Sequence, residues 1–380
     1  MKKVLALGIV GLVLTELANV YFIMPMPGSQ QMRSIDAAYA VYSWRWLLRA
    51  VFSAMILAGT PSVLRAPGWR RWLGVGSIAA AGLVVYALNF RMSADHMFLQ
   101  PTVLNMQPAA KSTVKLNRLV VGVNINGDAR AYPLQFIGYH HQVLDSIGGK
   151  SVLVSYCTVC RTGRVFAPFV AGRHETFRLV GMDHFNAMLE DRTTGSWWRQ
   201  ANGEAITGKL KGTTLPEIPR IQVTLQQWLA LYPNSLIMQA DPKFTDEYAK
   251  NYRYERGWSK STLTGTDTAS WHDKSWVVGV TVNGHSKAYD WNRLIREKVV
   301  NDSVGGTPVV VVLGADGVSY FAFQRPSATT RFALRGDSLV ADGRAYALSG
   351  NGETGRLEPV NASQEFWHSW RTFQPATAKY

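Results

Sequence analysis

The chain has 380 residues, with 40 Lys+Arg against 26 Asp+Glu and only two cysteines. The length supports two to three domains, and two cysteines exclude a disulfide-stapled scaffold. At 47% hydrophobic, 17% charged and 13 Trp the chain is not disordered, and its charged fraction is below the ~25% usual for soluble chains, so part of it belongs in lipid.

The N-terminal region reads as apolar blocks between short basic loops. Residues 1–90 carry eight Lys/Arg and two acids, a net +6, which leaves +8 on the other 290 residues. Residues 4–23 are apolar except for Glu16, residues 46–64 except for Arg49, and residues 73–89 carry no charge. Each block is long enough, or nearly so, to cross a hydrocarbon core of ~30 Å. Three transmembrane helices are therefore predicted within an anchor of residues 1–91. The alternative for the first block, a cleaved signal peptide, fits less well. The run exceeds the usual h-region of ~7–15 residues and no small-x-small site follows it. Glu16 is expected to pair with Arg49 inside the anchor. Lys2 and Lys3 before the first helix, and Arg65, Arg70 and Arg71 between the second and third, predict cytoplasmic loops. The soluble domain is then extracytoplasmic, on a bacterial plasma membrane, with the lipid bilayer as its first partner.

Residues 92–118 are expected as a linker. Beyond it, residues 119–156 match residues 276–313 at an offset of 157 without a gap, with 15 of 38 positions identical. This predicts two pseudo-symmetric β-rich repeats, at 119–243 and 276–380, joined by a loop at 244–275. Asn126-Gly127 and Asn283-Gly284 each mark a hairpin turn, because both central residues need positive φ. Residues 134–143 read as a short helix, 145–149 as a turn, and 152–156 as a buried strand. Strands are expected at 165–170, 176–182, 187–191 and 196–199, and a helix at 224–231 stopped by Pro233. The fold class is α+β, mainly β.

The cysteines fall together, as Cys157-Thr-Val-Cys160-Arg161. This spacing brings two sulfurs to one centre, as metal ligands or as a reversible disulfide. The second repeat has Gly314 and Gly317 at these positions, so the thiols are not needed for the fold of the unit. A c-type haem site is excluded because Arg161 stands where that motif needs His. His140 and His184 are the candidate partners, and His141 a weaker one. A Cys157/Cys160/His140/His184 cluster would suit copper or zinc. Met92, His96 and Met97, at the membrane exit, form a second soft-ligand group, also readable as a juxtamembrane turn. His272 and His285 have no identifiable partner, and Trp197-Trp198 are expected to pack or line a groove. No phosphate-binding loop, dinucleotide fingerprint or basic stripe appears, and nucleic-acid binding is disfavoured.

His140, then Val143-Leu-Asp145-Ser-Ile-Gly-Gly149 and Val154-Ser-Tyr-Cys157-Thr-Val-Cys160, resemble the domain of unknown function family 3179. The run from Asp191 through Gly195, Trp197, Trp198 and Gln200 to Gly208 extends the resemblance, which covers roughly residues 115–325. His141, Gln142 and Leu144 depart from the family's usual pattern, so either His140 or His141 fills its histidine position. The resemblance implies that Cys157, Cys160 and a histidine share a site, and it leaves the activity open. Three functions follow from the residues. The first is a transition-metal protein. The second is a thiol–disulfide oxidoreductase, in which Arg161 and Arg164 would lower a thiol pKa. The third is a non-catalytic interaction module with an unidentified protein or small-molecule partner.

Overall fold

A computed structural model describes residues 1–353 and 355–380. It divides into two compact units. The first comprises Met1–Leu99, Phe177–Arg199 and Glu204–Thr213, and the second Gln100–Thr176, Gln200–Gly203 and Thr214–Tyr380.

In the first unit, helices Lys2–Tyr21, Ile35–Leu64 and Trp69–Tyr86 are long and apolar enough to cross a membrane. The second is longer than its apolar core because residues 35–45 extend it with good helix formers such as Ala37, Ala38 and Ala40. The third continues as a π-turn over Ala87–Arg91. That turn carries Asn89 toward the other two helices. Arg49 Nε and Nη2 lie 2.5 and 2.8 Å from Glu16 Oε1 and Oε2, and Asn89 Nδ2 donates to Glu16 Oε2 at 2.8 Å. The expected Glu16–Arg49 pair is thus completed by a third helix. A paired and fully hydrogen-bonded charge is what an apolar surrounding tolerates. The same unit holds a four-stranded antiparallel sheet of Phe177–Asp183, Asn186–Asp191, Trp197–Arg199 and Ala205–Thr207. Its apolar face, with Val180, Met188, Trp197 and Ile206, is buried against Ile23 and Ala38. The Met182 N–H donates to the Ile23 carbonyl at 2.7 Å, and a Cβ on Gly181 would stand 2.4 Å from that same oxygen.

The second unit is β-rich and contains two series of elements in the same order. The first runs Leu119–Ile125, Asp128–Pro133, helix Leu134–His140, Gln142–Ile147, Lys150–Cys157, Thr162–Phe166, then Ile221–Thr224, helix Leu225–Leu231 and Leu236–Met238. The second runs Trp276–Val282, His285–Asp290, helix Trp291–Glu297, Val299–Val304, Thr307–Leu313, Tyr320–Gln324, then Asn361–Phe366, helix Trp367–Phe373 and Ala378–Lys379. The registers agree: Val120 faces Pro133 as Val277 faces Asp290, and Gln142 faces Ser155 as Val299 faces Val312. In both, the indole of the closing helix lies on a glycine of the first strand. A Cβ on Gly122 would stand 2.2 Å from Trp228, and one on Gly279 2.2 Å from Trp370.

Two local expectations change. The first helix ends at His140, where His141 takes φ +61°, and residues 142–147, expected as helix end and turn, form a strand. Val143 and Ile147 are core residues on that strand, and tertiary pairing with the Lys150–Cys157 strand overrides the weak helical pattern. Residues 92–118 contain a short helix, Ala94–Met97, and a strand, Met106–Pro108, paired with Leu236–Met238.

Candidate functional site

Cys157 ends one strand and Thr162 begins the next, opposite it, so Cys157–Cys160 is the tip of a β-hairpin. Arg161 closes the tip with φ +59°. Both cysteines are fully buried. The hairpin is held by the second series. The Phe366 N–H donates to the Cys160 carbonyl at 3.0 Å, and Arg161 Nε donates to Gln364 Oε1 at 2.9 Å. Arg161 also donates to the Tyr254 and Glu255 carbonyls at 2.9 and 3.0 Å, and its guanidinium lies 3.7 Å from the Trp276 ring centroid.

Around the thiols stand residues that the sequence reading did not single out. Lys274 Nζ donates to the carbonyl of Val159, between the two cysteines, at 2.9 Å, and to that of Leu263 at 2.6 Å. His368 Nε2 lies 3.2 Å from the same Val159 carbonyl and 3.3 Å from Lys274 Nζ. Ser369 Oγ donates to Glu365 Oε2 at 2.8 Å, and Glu365 Oε1 receives Arg164 Nη2 at 2.6 Å. Tyr254 Oη donates to the Thr158 carbonyl at 3.0 Å.

Burial dominates the electrostatics. It pushes the Cys160 thiol well above its ordinary pKa, reinforced by the hydrogen bond and charge of Cys157 and eased by a hydrogen bond with Ser369. Burial also draws Lys274 down, against the pull of the two cysteines, and lowers His368 to about 4, helped by the Lys274 charge. His368 is therefore neutral near pH 7. Burial at Cys160 outweighs the thiol-lowering effect expected from Arg161 and Arg164. Arg161 is spent on Gln364 and two carbonyls, and Arg164 on Glu217 and Glu365.

The sequence-predicted residues are distributed as follows. Cys157 and Cys160 come together on one turn. His140 is buried, with Nε2 2.8 Å from the Tyr248 hydroxyl and Phe244 and Tyr139 packed edge-on about its ring. His141, buried at the left-handed position, is lowered to about 4 by burial. His184 belongs to the first unit, in the turn of its sheet, with Nδ1 2.6 Å from Asp183 Oδ1. His96 Nδ1 lies 2.7 Å from Ser93 Oγ, and His272 Nδ1 2.7 Å from Asp267 Oδ2. Trp197 and Trp198 pack in the first unit, and their indole N–H groups donate to Glu190 and Asp191, both at 2.9 Å. Among the described residues, no group of three or more His, Cys, Asp or Glu side chains is arranged to hold a metal ion.

One signal in the sequence could have found Glu365, His368 and Ser369. Trp228 and Pro233 recur as Trp370 and Pro375 at an offset of 142. The gapless comparison at 157 ends before that segment. In the shifted frame Val223, Gln226 and Gln227 stand where the second series has Glu365, His368 and Ser369, so an apolar residue gives way to an acid and two amides to an imidazole and a hydroxyl.

The molecule is thus an α+β, mainly β chain with three N-terminal helices able to cross a membrane and a buried dithiol hairpin. It belongs to the family described as "Protein of unknown function (DUF3179)", whose model matches residues 100–377. No curated protein and no solved structure matches the chain.

Proposed function

We propose that this is a membrane-anchored, extracytoplasmic protein that takes up a soft transition-metal ion, copper(I), between the sulfurs of Cys157 and Cys160. The observation that carries this reading is the pair of buried thiols on one hairpin tip, with the Lys274 ammonium bonded to the carbonyl between them. Soft thiolates select Cu(I). Two thiolates and one Cu⁺ leave a single negative charge, which Lys274 balances. Zn²⁺ between the same thiolates would leave Lys274 uncompensated and needs a tetrahedral set of ligands. His140, in the same unit as the thiols, stays in this reading as a candidate further ligand, tested by its removal.

A thiol–disulfide exchange reading has one observation in its favour, the hydrogen-bonding proximity of the two cysteines. Exchange begins with attack by a thiolate, however, and burial at Cys160 favours the protonated thiol. A metal ion displaces that proton itself, so binding weakens as pH falls.

The test is titration of the full chain in lipid nanodiscs with Cu(I) against a competing chelator. One equivalent is expected to bind in the wild type and none in Cys157→Ser/Cys160→Ser. His140→Ala is expected to retain it if two thiolates suffice. Equal binding by the double serine variant would sink the metal reading, and a pair that oxidises reversibly near the compartment's poise would favour exchange. The topology is tested separately: a phosphatase fused after residue 380 is expected to be active outside the cytoplasm.

A further inference from the structure

The second unit also forms a half-open cavity of about 600 Å³ lined by both series of elements, including Gly122, Arg220, Trp228, Tyr320, Phe321 and Val360. That size is within the range of small-molecule sites. Its wall holds a buried cation whose hydrogen bonding is incomplete. The Arg220 side chain is only 4% exposed. Nε donates to the Gly163 carbonyl at 2.8 Å, and Nη1 to Asn361 Oδ1 at 2.8 Å, with Glu217 Oε1 at 3.2 Å. Nη2 is buried and has no acceptor among the described residues. A buried donor left in this state is costly, the more so when it is charged.

The neighbouring acid is already committed. Glu217 Oε1 also receives Arg164 Nη1 at 3.1 Å, and Oε2 receives Asn361 Nδ2 at 2.8 Å. Arg164 is shared with Glu365, so Arg164 and Arg220 balance Glu217 and Glu365, and Arg356, a further lining residue, brings the surroundings to a net positive charge. Two more lining groups have a proton to give. The Tyr320 hydroxyl accepts the Gln364 N–H at 2.8 Å, which leaves its own O–H as a donor. Trp228 Nε1 is buried without an acceptor among the described residues. The lining also carries apolar and aromatic side chains, Ile218, Leu231, Phe321, Phe323 and Val360, beside polar ones such as Asn124, Asn126 and Ser349.

We propose that this cavity binds a small organic carboxylate with an apolar body, its carboxylate received by Arg220 Nη2 and the Tyr320 hydroxyl and its body lying against Trp228 and Phe321. Unmatched donors on a buried cation select an anion, and the indole and phenyl rings among the lining residues favour one with an apolar body.

The test uses the full chain in lipid nanodiscs and two calorimetric probes, 3-phenylpropionate and its neutral amide. The carboxylate is expected to bind with 1:1 stoichiometry, about ten- to a hundredfold tighter than the amide. Arg220→Gln is expected to remove that preference while leaving the weak amide binding unchanged. Because Arg220 also supports Gly163 and Asn361, a second variant keeps the test independent of folding. Leu231→Trp, which adds bulk to the apolar part of the lining, is expected to abolish binding of both probes. Equal affinity for the two probes, no binding of either at millimolar concentration, or carboxylate binding that survives Leu231→Trp would overturn the proposal.

Discussion

The two series of the second unit differ most where their frameworks agree best. Both keep a tyrosine bonded to the aspartate of the third strand, Tyr132 to Asp145 at 2.5 Å and Tyr289 to Asp302 at 3.0 Å. Both seat an indole on a glycine, and both turn through Asn-Gly and Gly-Gly. The first series carries thiols on its hairpin tip, where the second has Gly314 and Gly317. The second carries Glu365 opposite Val277, where the first has Val223 opposite Val120. Shared positions thus serve packing, and the departures from sameness converge on one centre. Chemistry is divided between the two series, each of which supplies what the other lacks.

This comparison can be broken first at the indoles. Trp228→Ala and Trp370→Ala are each expected to destabilise by about 4 kcal/mol, since each empties a fully buried site. Chemical denaturation that finds one of them nearly neutral would show that the two frameworks are not energetically alike. Next, Glu365→Val gives the second series the residue of the first. It strips Arg164 of one buried partner and Ser369 of its acceptor, with an expected cost of about 3 kcal/mol. Retention of full stability would mean that Glu217 alone satisfies Arg164.

A third test is pH. His141 in the first series and His368 in the second have folded pKa values of about 4, against about 6.5 unfolded. Between those values the unfolded chain binds more protons, so stability is lost as pH falls from about 6.5 towards 4. Each histidine is expected to contribute roughly 2–3 kcal/mol to that loss. His141→Gln and His368→Gln should each flatten the melting-temperature profile over this window. A profile unchanged by both would refute the assignment.

The smallest effects separate two matched glycines. Gly148 and Gly305 both have positive φ, but an added Cβ would meet the Ile125 carbonyl oxygen in the first case and the exposed His285 ring in the second, each at 2.3 Å. Backbone cannot yield and a surface ring can. Gly148→Ala should therefore cost about 2 kcal/mol and Gly305→Ala about 1. Equal thermal shifts would remove the distinction.

Much of this architecture is legible in the sequence. Three apolar blocks gave three helices, the Asn-Gly pairs gave hairpins, and Thr224 caps the helix that Pro233 follows. The strand at 142–147 was hidden because Gln142, Asp145 and Ser146 blur its alternation. The sheet of 177–207 gave up three of its four strands, all but Ala205–Thr207, and none of its neighbours. Nothing in its alternation says that Ile23 and Ala38 would cover it. At the site, Cys157 and Cys160 were visible from spacing alone. Lys274 lay in a polar stretch that reads as loop, and its role rests on two carbonyl contacts that no periodicity encodes.

The bond from the Phe366 N–H to the Cys160 carbonyl also bears on the order of synthesis. Translation delivers the thiol-bearing hairpin long before its cover, since Arg161 and its partner Gln364 stand 203 residues apart. At roughly 5–20 residues per second, the nascent hairpin waits about 10–40 s for the strand that buries it. During that interval the cysteines lack Glu365, His368 and Ser369, and any oxidant in the compartment meets them bare. Protecting the pair before the last strand docks is then a task for the cell's folding and quality-control machinery rather than for the folded domain.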